Sequence, residues 1–236
     1  GLEELHLSGV DISSSVPHFL ANFSSLRSIK LRECSLKDKF PAAIFELPKL
    51  QVLNLANNTD LTGSFHEFRN NSLLEKVILP LTGFFGIVPE SISHLKHLTV
   101  LSLSECSFSG GIPRSLSNLT QLTYLAIGEH HFTGSVPSLV SLSKLDVLEL
   151  SGNKFERGCF PSWLGKLTKL SKLSLSNMNI NGEIPIFLAN LTKLNVLDME
   201  ENSLIGSIPS WLYNLTKLTG LDLQMNQLQG PIPNTF

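Results

Sequence analysis

Apolar residues recur along this chain on a fixed frame. A stretch of the form LxxLxLxx, closed by a position that is often asparagine, appears ten times. Aligned on that closing position, the registers are Val10, Cys34, Asn58, Thr82, Cys106, His130, Asn153, Met178, Asn202 and Asn226. Successive registers lie 24 residues apart, save one step of 23 (His130 to Asn153) and one of 25 (Asn153 to Met178). Each unit changes period along its length. The alternation of Leu101 and Leu103 predicts a short strand, whereas Leu116, Leu119 and Leu122 recur every third residue and predict helical or 3-10 turns. One unit is therefore a strand, a turn and a looser return leg. Its Leu, Ile and Phe side chains share one interior that a lone unit leaves open. Stacking successive coils closes it into a continuous core, with strands about 4.8 Å apart.

The closing position has its own chemistry. A side-chain amide both donates and accepts, so stacked asparagines can satisfy backbone groups where the chain leaves the strand. Asn58, Asn153, Asn202 and Asn226 suit this role, and Thr82, Cys34 and Cys106 suit it in part. Val10 and Met178 do not, which predicts looser local order in their coils. Two residues further on, Phe84, Phe108, Phe132 and Phe155 occupy four consecutive coils and predict an aromatic stack in the core. Glycine then precedes an apolar residue at Gly63, Gly86, Gly110, Gly134, Gly158, Gly182, Gly206 and Gly230, as in Gly182–Pro185 (GEIP) and Gly206–Pro209 (GSIP). Gly permits positive φ at the bend, and Pro fixes the onset of the return leg.

The unit LxxLxLxxNxLxGxIPxxLxxLxxL resembles the plant-type extracellular leucine-rich repeat over essentially the whole chain. Phe19–Leu26 (FLANFSSL), Leu53–Phe65 (LNLANNTDLTGSF) and Pro161–Leu170 (PSWLGKLTKL) are similar to ectodomains of plant cell-surface receptor-like proteins of the defence type. Receptor-like kinases carry the same repeat. The resemblance implies an α/β solenoid: a right-handed leucine-rich-repeat superhelix of ten coils, with a parallel concave β-sheet and a helical or 3-10 convex side, running as one solenoid over 1–236. The cysteine-paired caps of such families are not seen, so the segment reads as an internal part of a longer receptor. The resemblance further implies a protein or peptide ligand, a co-receptor kinase as signalling partner, and a place on the extracellular side of the plasma membrane within a longer single-pass protein. Two alternatives share the coil: secreted inhibitors of microbial cell-wall-degrading enzymes, of the polygalacturonase-inhibiting type, and ectodomains of developmental receptor-like kinases.

Composition narrows the function. Leucine alone supplies 45 of 236 residues, and only 16% are charged, which suits a packed core and not a disordered chain. A net charge of −2 carries no basic excess, which argues against nucleic acid as a partner. No apolar run approaches the roughly 18 residues of a membrane span. Cys34 and Cys106 sit three coils apart, about 14 Å, beyond the roughly 7 Å between Cα atoms that a disulfide allows. They are expected to be free and buried, and Cys159 to be a lone, semi-exposed thiol. Among six glycosylation sequons, Asn22, Asn118, Asn190 and Asn214 share one phase, five residues after the proline of the return leg. These four and Asn70 are the expected glycan sites, while Asn57 falls on the concave face.

Nothing resembles an active site. GxSxG, phosphate-loop and HExxH motifs are missing from the sequence. His94 and His97 read as two exposed residues of a turn rather than metal ligands, His131 as solvent-facing, and Glu200 and Glu201 as pointing to opposite sides of a strand. No catalysis, metal or cofactor is expected. The outward strand positions, freed from packing the core, are the candidate ligand surface. Lys30 and Arg32, with Arg27, make one end basic; Ile78, Pro80, Leu81 and Tyr124 form an apolar middle; Glu129, Glu149, Asp198, Glu200 and Asp222 make the far half acidic. Such a face suits a protein or peptide carrying a basic segment.

Overall fold

The computed structural model describes residues 1–233; positions 234–236, the close of the expected 1–236 frame, lie outside the described residues. Ten three-residue strands, from Glu4–His6 to Gly220–Asp222, form one parallel sheet in which each coil hydrogen-bonds to the next. Equivalent residues pair across it, Leu53 with Val77 and Val77 with Leu101. Leu125 pairs with Leu148 and Leu148 with Leu173, so the missing and the extra residue of the 23- and 25-residue steps are absorbed outside the sheet. Inward side chains of every coil join one apolar cluster. Leu53, Leu74, Leu98 and Leu125 are fully shielded from water, and each such side chain stabilises the stack by about 2 kcal/mol.

Seven of the nine return legs among the described residues carry a 3-10 turn, and none carries an α-helix. Seven short turns, such as Arg114–Asn118 and Ile186–Asn190, each follow a proline whose extended backbone starts the leg and whose carbonyl accepts the first turn bond, as from Leu116 to Pro113. Two legs have no such turn. In the third coil Phe65 stands where the others have proline. The leg beginning at Pro137 is one residue short. The third coil's irregular leg is instead tied to its neighbour: the Phe68 amide donates to Ser91 Oγ at 2.9 Å, and His94 Nδ1 donates to the Phe68 carbonyl at 2.7 Å. His94 is thus a half-buried strut, contrary to the expectation of exposure, while His97 is exposed as expected.

Three features depart from the sequence reading. First, a second parallel sheet runs beside the first, through Asp38–Lys39, Asn58–Gly63, Thr82–Gly86, Ser107–Gly110, His131–Gly134 and Lys154–Phe155, where only a bend was expected. A separate pair, Asn181–Gly182 with Ser203–Leu204, continues beyond a break. Second, the sharp left-handed step of every coil is the residue just before the closing position: Gly9, Glu33, Asn57, Leu81, Glu105, Glu129, Gly152, Asn177, Glu201 and Met225 all have φ between 50° and 81°. The later glycines are left-handed in six coils, but Gly63 and Gly158 are not. Gly63 is required for space, since a Cβ there would lie 2.6 Å from the Phe84 ring. Third, the phenylalanines do not stack directly on one another. Phe65 bridges Phe84 and Phe108 at 6.4 and 5.1 Å, and His130 sits edge-on between Phe108 and Phe132 at 5.6 and 5.2 Å.

The amide ladder works, and it works backwards along the chain. Asn58 Oδ1 accepts from the Cys34 and Leu36 amides of the preceding coil, while Nδ2 donates to the carbonyls of Leu31, Leu55 and Ala56. Asn202 repeats this on Met178, Ile180, Leu175, Met199 and Glu200. Each asparagine therefore closes the turn of the coil before it. Cys34 and Cys106 imitate half of the pattern, their thiols donating to Leu7 and Leu79 at 3.1 and 3.2 Å, the carbonyls that an amide would reach. Met178 lacks its own amide but is held by that of Asn202; in the coil of Asn153, before it, the bridging amide comes instead from Asn179, whose Nδ2 donates to the Phe155 carbonyl at 3.1 Å.

Candidate ligand face

The register of the large sheet sets Lys30, Ile78, Glu149, Asp198 and Asp222 in one row, one residue per strand. Lys30 and Glu149 stand five coils apart, about 24 Å, so the basic and acidic ends meet one ligand only if that ligand is extended. Between them the row is shallow, with Ser102 and Ala126 buried, and Ser174 is likewise buried between Glu149 and Asp198. Arg32 and Glu129 are exposed, Lys30, Ile78 and Pro80 half-buried.

The acidic half is a bonded network. Lys172, which the sequence reading passed over, donates from Nζ to Glu149 Oε1 at 2.5 Å. That bond holds its ammonium above the ordinary lysine range, and Asp198 adds to the effect. Tyr124, registered between Val100 and Val147, stands where the apolar middle meets this network. Burial first and then the Glu149 charge raise its phenol, with Lys172 opposing. Ser174 Oγ donates to Asp198 Oδ2 at 2.5 Å, and Ser151 and Ser174 share a hydroxyl bond of 2.9 Å. Asp198 Oδ1 and Asp222 Oδ1 also accept from the amides two residues on, in Glu200 and Gln224. These carboxylates are fixed in place by the turn they cap, which pre-organises them. Glu200 titrates above the ordinary carboxylate range, chiefly through desolvation and then through the neighbouring charges of Asp222, Glu201 and Asp198. Its strand ends at Asp198, and Glu201 occupies the left-handed step, so the two glutamates do not alternate across a strand as expected.

The missed lysine had a readable signal: it stands one residue before the inward Leu173, a strand position as free to vary as the one after it. Glu149 marks its partner one coil back.

The cysteines lie as expected, Cys34 and Cys106 buried, Cys159 exposed, all free. Asn22, Asn118, Asn190 and Asn214 are the exposed last residues of their 3-10 turns, and Asn70 is exposed on the irregular third leg. Asn57 is half-buried at a left-handed step. Among the described residues no group of three or more His, Cys, Asp or Glu could hold a metal ion, and no helix is long and apolar enough to cross a membrane.

A stack of strand-turn-leg coils, uniform within and varied along one sheet face, defines a repeat solenoid built to present side chains. Two leucine-rich-repeat family profiles match residues 1–59 and, repeat by repeat, 97–119, 144–167, 169–191 and 193–215. The chain belongs to the leucine-rich-repeat family. It is similar to receptor-like protein 6 of Arabidopsis thaliana, 47% identical over 103 residues that make up 43% of this chain and 10% of that protein. It is also similar to the leucine-rich-repeat ectodomain of the Arabidopsis thaliana membrane receptor kinase GASSHO1/SCHENGEN3, solved in complex with CASPARIAN STRIP INTEGRITY FACTOR 2. That match has a TM-score of 0.89 and 36% identity, over 98% of this chain and 28% of the ectodomain. The receptor kinase HAESA of Arabidopsis, solved with the peptide hormone IDA and the co-receptor SERK1, matches at TM-score 0.82 and 32% identity, over 89% of this chain and 36% of that one. The chain spans about a tenth of the length of the first of these relatives and about a third of the other two.

Proposed function

We propose that this chain is part of the extracellular ligand-recognition solenoid of a plant cell-surface receptor of the immune type, and that it binds a protein or peptide on the outer face of its large sheet. The observation that carries the reading is the Tyr124–Glu149–Lys172–Asp198 group. It is a set of three charges, with the neutral Tyr124 phenol beside them, held at half-buried positions on one sheet face, with no packing role that demands charge there. Pre-organised charges favour a partner of opposite pattern, and a peptide with basic residues fits the acidic half. The HAESA complex, in which such an ectodomain holds a peptide hormone beside a co-receptor, supports the class of partner. The co-receptor in that complex also supports a co-receptor kinase as partner of the full-length protein. Exposed sequons at the ends of four return turns suit an extracellular chain, with glycans at Asn22, Asn70, Asn118, Asn190 and Asn214.

The test is charge reversal. Asp198→Lys with Glu200→Lys should weaken a peptide ligand by at least about tenfold, the effect of losing one charge-assisted contact, measured by calorimetry on the full ectodomain. Lys30→Glu with Arg32→Glu, at the other end of the row, should have a smaller effect on the same ligand. Unchanged affinity in the first pair would remove the acidic half from the contact surface.

A further inference from the structure

A second site lies away from that face, where the repeat loses step. The leg after Pro137 is one residue short, and the following coil carries one residue too many between Asn153 and Pro161. The two irregularities cancel in the large sheet but not beside it. There the second sheet stops at Lys154–Phe155 and resumes at Asn181–Gly182; across the break lie the Gly158 and Ile180 bridge and the Asn179 Nδ2 bond to the Phe155 carbonyl at 3.1 Å. The gap opens a cavity of about 180 Å³ between the coils. Its floor is Leu150, Leu175, Met178 and Ile180, its walls Phe155 and Trp163. Met178 matters here: the amide that would span this turn in other coils is replaced by a thioether, which leaves the floor without a polar group. The extra residue pushes Glu156, Arg157 and Cys159 to the mouth, all exposed, so a carboxylate guest must sit on the Arg157 side and away from Glu156.

We infer that this cavity binds a small aromatic monocarboxylate, ring inward and carboxylate on Arg157. Size, lining and charge each constrain the ligand. An engineered apolar cavity of about 150 Å³ holds a benzene ring, so this one takes a single ring with a short substituent and excludes larger ligands. Its wall rings offer edge and face contacts to a flat guest, and Met178 a polarisable one. Arg157 makes no ion pair among the described residues, so its planar guanidinium is available for a bidentate carboxylate at the rim. The site is independent of the proposed ligand face, and either can fail without the other.

The chain supplies its own reporters. Cys159 is the one exposed thiol among the described residues, and Trp163 lines the wall. In a Trp211→Phe background, phenylacetate is titrated while Trp163 fluorescence and the iodoacetamide alkylation rate of Cys159 are followed. Phenylacetate should cause a saturable fluorescence change and a saturable loss of alkylation with the same midpoint, and acetate neither. Arg157→Gln should raise the phenylacetate midpoint about tenfold while leaving that of toluene unchanged. Ile180→Trp, or Met178→Phe if the first variant folds poorly, should fill the cavity and abolish both signals with near-UV circular dichroism retained. No saturable response to phenylacetate, or one that survives both filled variants, overturns the site. An unchanged midpoint in Arg157→Gln, or equal binding of toluene and phenylacetate, overturns the assignment of an acid.

Discussion

His130 is the one ladder residue whose replacement should make folding less sensitive to acid. Its imidazole is 3% exposed, edge-on between Phe108 and Phe132, and neither ring nitrogen has a hydrogen-bond partner. Burial pushes its pKa down to about 4; backbone groups of Cys106 and Leu103 lie close enough to oppose this slightly, and exposed His131 adds to it. The unfolded chain has an ordinary histidine near 6.5. Between those values the unfolded chain takes up a proton that the folded chain refuses. Stability therefore falls as pH drops from about 6.5 to about 4 and is flat below. The full difference is about 3 kcal/mol, and about 2 kcal/mol of it is lost by pH 5.

His130→Asn should remove that dependence. By analogy with Asn58, the new amide can accept from the Cys106 and Phe108 amides and donate to the Leu103 and Ile127 carbonyls. The variant loses two edge-to-face contacts of about 1 kcal/mol each and gains several buried hydrogen bonds of similar size. At pH 7.5 it should lie within about 1 kcal/mol of the parent, and at pH 5 it should be about 2 kcal/mol more stable. Urea midpoints measured across pH 4.5–7.5 for parent, His130→Asn and the exposed control His131→Asn decide the matter. Other acids and histidines titrate in all three and cancel in the differences. Parallel curves for parent and His130→Asn would refute the reasoning, because they would mean that the buried ring carries no proton linkage.

Other perturbations test the remaining steps. Gly63→Ala should destabilise by about 1–3 kcal/mol through overpacking against Phe84, and Gly63→Ala with Phe84→Leu should recover much of the loss in a thermal melt. Leu81 holds φ 57° with its side chain 37% exposed, so Leu81→Asn should stabilise by about 0.5–1 kcal/mol; a lowered denaturation midpoint would argue that its packing outweighs the backbone strain. Asn202→Ala should cost about 3 kcal/mol, and hydrogen exchange should quicken first at Met178 and Ile180 of the preceding coil, not at Ser203.

Much of this molecule was legible because the requirement repeats. Leu101, Leu125 and Leu148 face the same interior, so the spacing of leucines gave the strands, their parallel register and the core. The closing asparagines followed from hydrogen-bond capacity alone. What escaped has no periodic hydrophobic signature. The left-handed step is filled by Glu33, Asn57, Leu81 and Gly152 alike, since backbone geometry imposes it and any residue pays a modest strain. The second sheet pairs segments such as Ser107–Gly110 and His131–Gly134, whose inward Phe was read as packing and whose polar neighbours as turn. Lys172 stands one residue before the inward Leu173, in a row with no periodic signature of its own, and only its Glu149 partner one coil back marks it.

The direction of the ladder alters how irregular coils should be understood. An asparagine spends its amide on the preceding coil, so a substitution at the closing position is felt one coil upstream. Cys34 and Cys106 soften that by returning one donor, Thr82 keeps its bond within its own coil to Leu79, and His130 returns none but fills an aromatic slot. Met178 returns no donor, although its side chain is buried in the apolar core. Its upstream neighbour is the coil of Asn153, which also carries the extra residue and the break in the second sheet. Three departures from the repeat thus converge on one gap, while Leu148 and Leu173 hold their register beside it. A defect confined to one flank, with the sheet kept intact, is what a solenoid needs if it is to gain a pocket without disturbing the register of its large sheet.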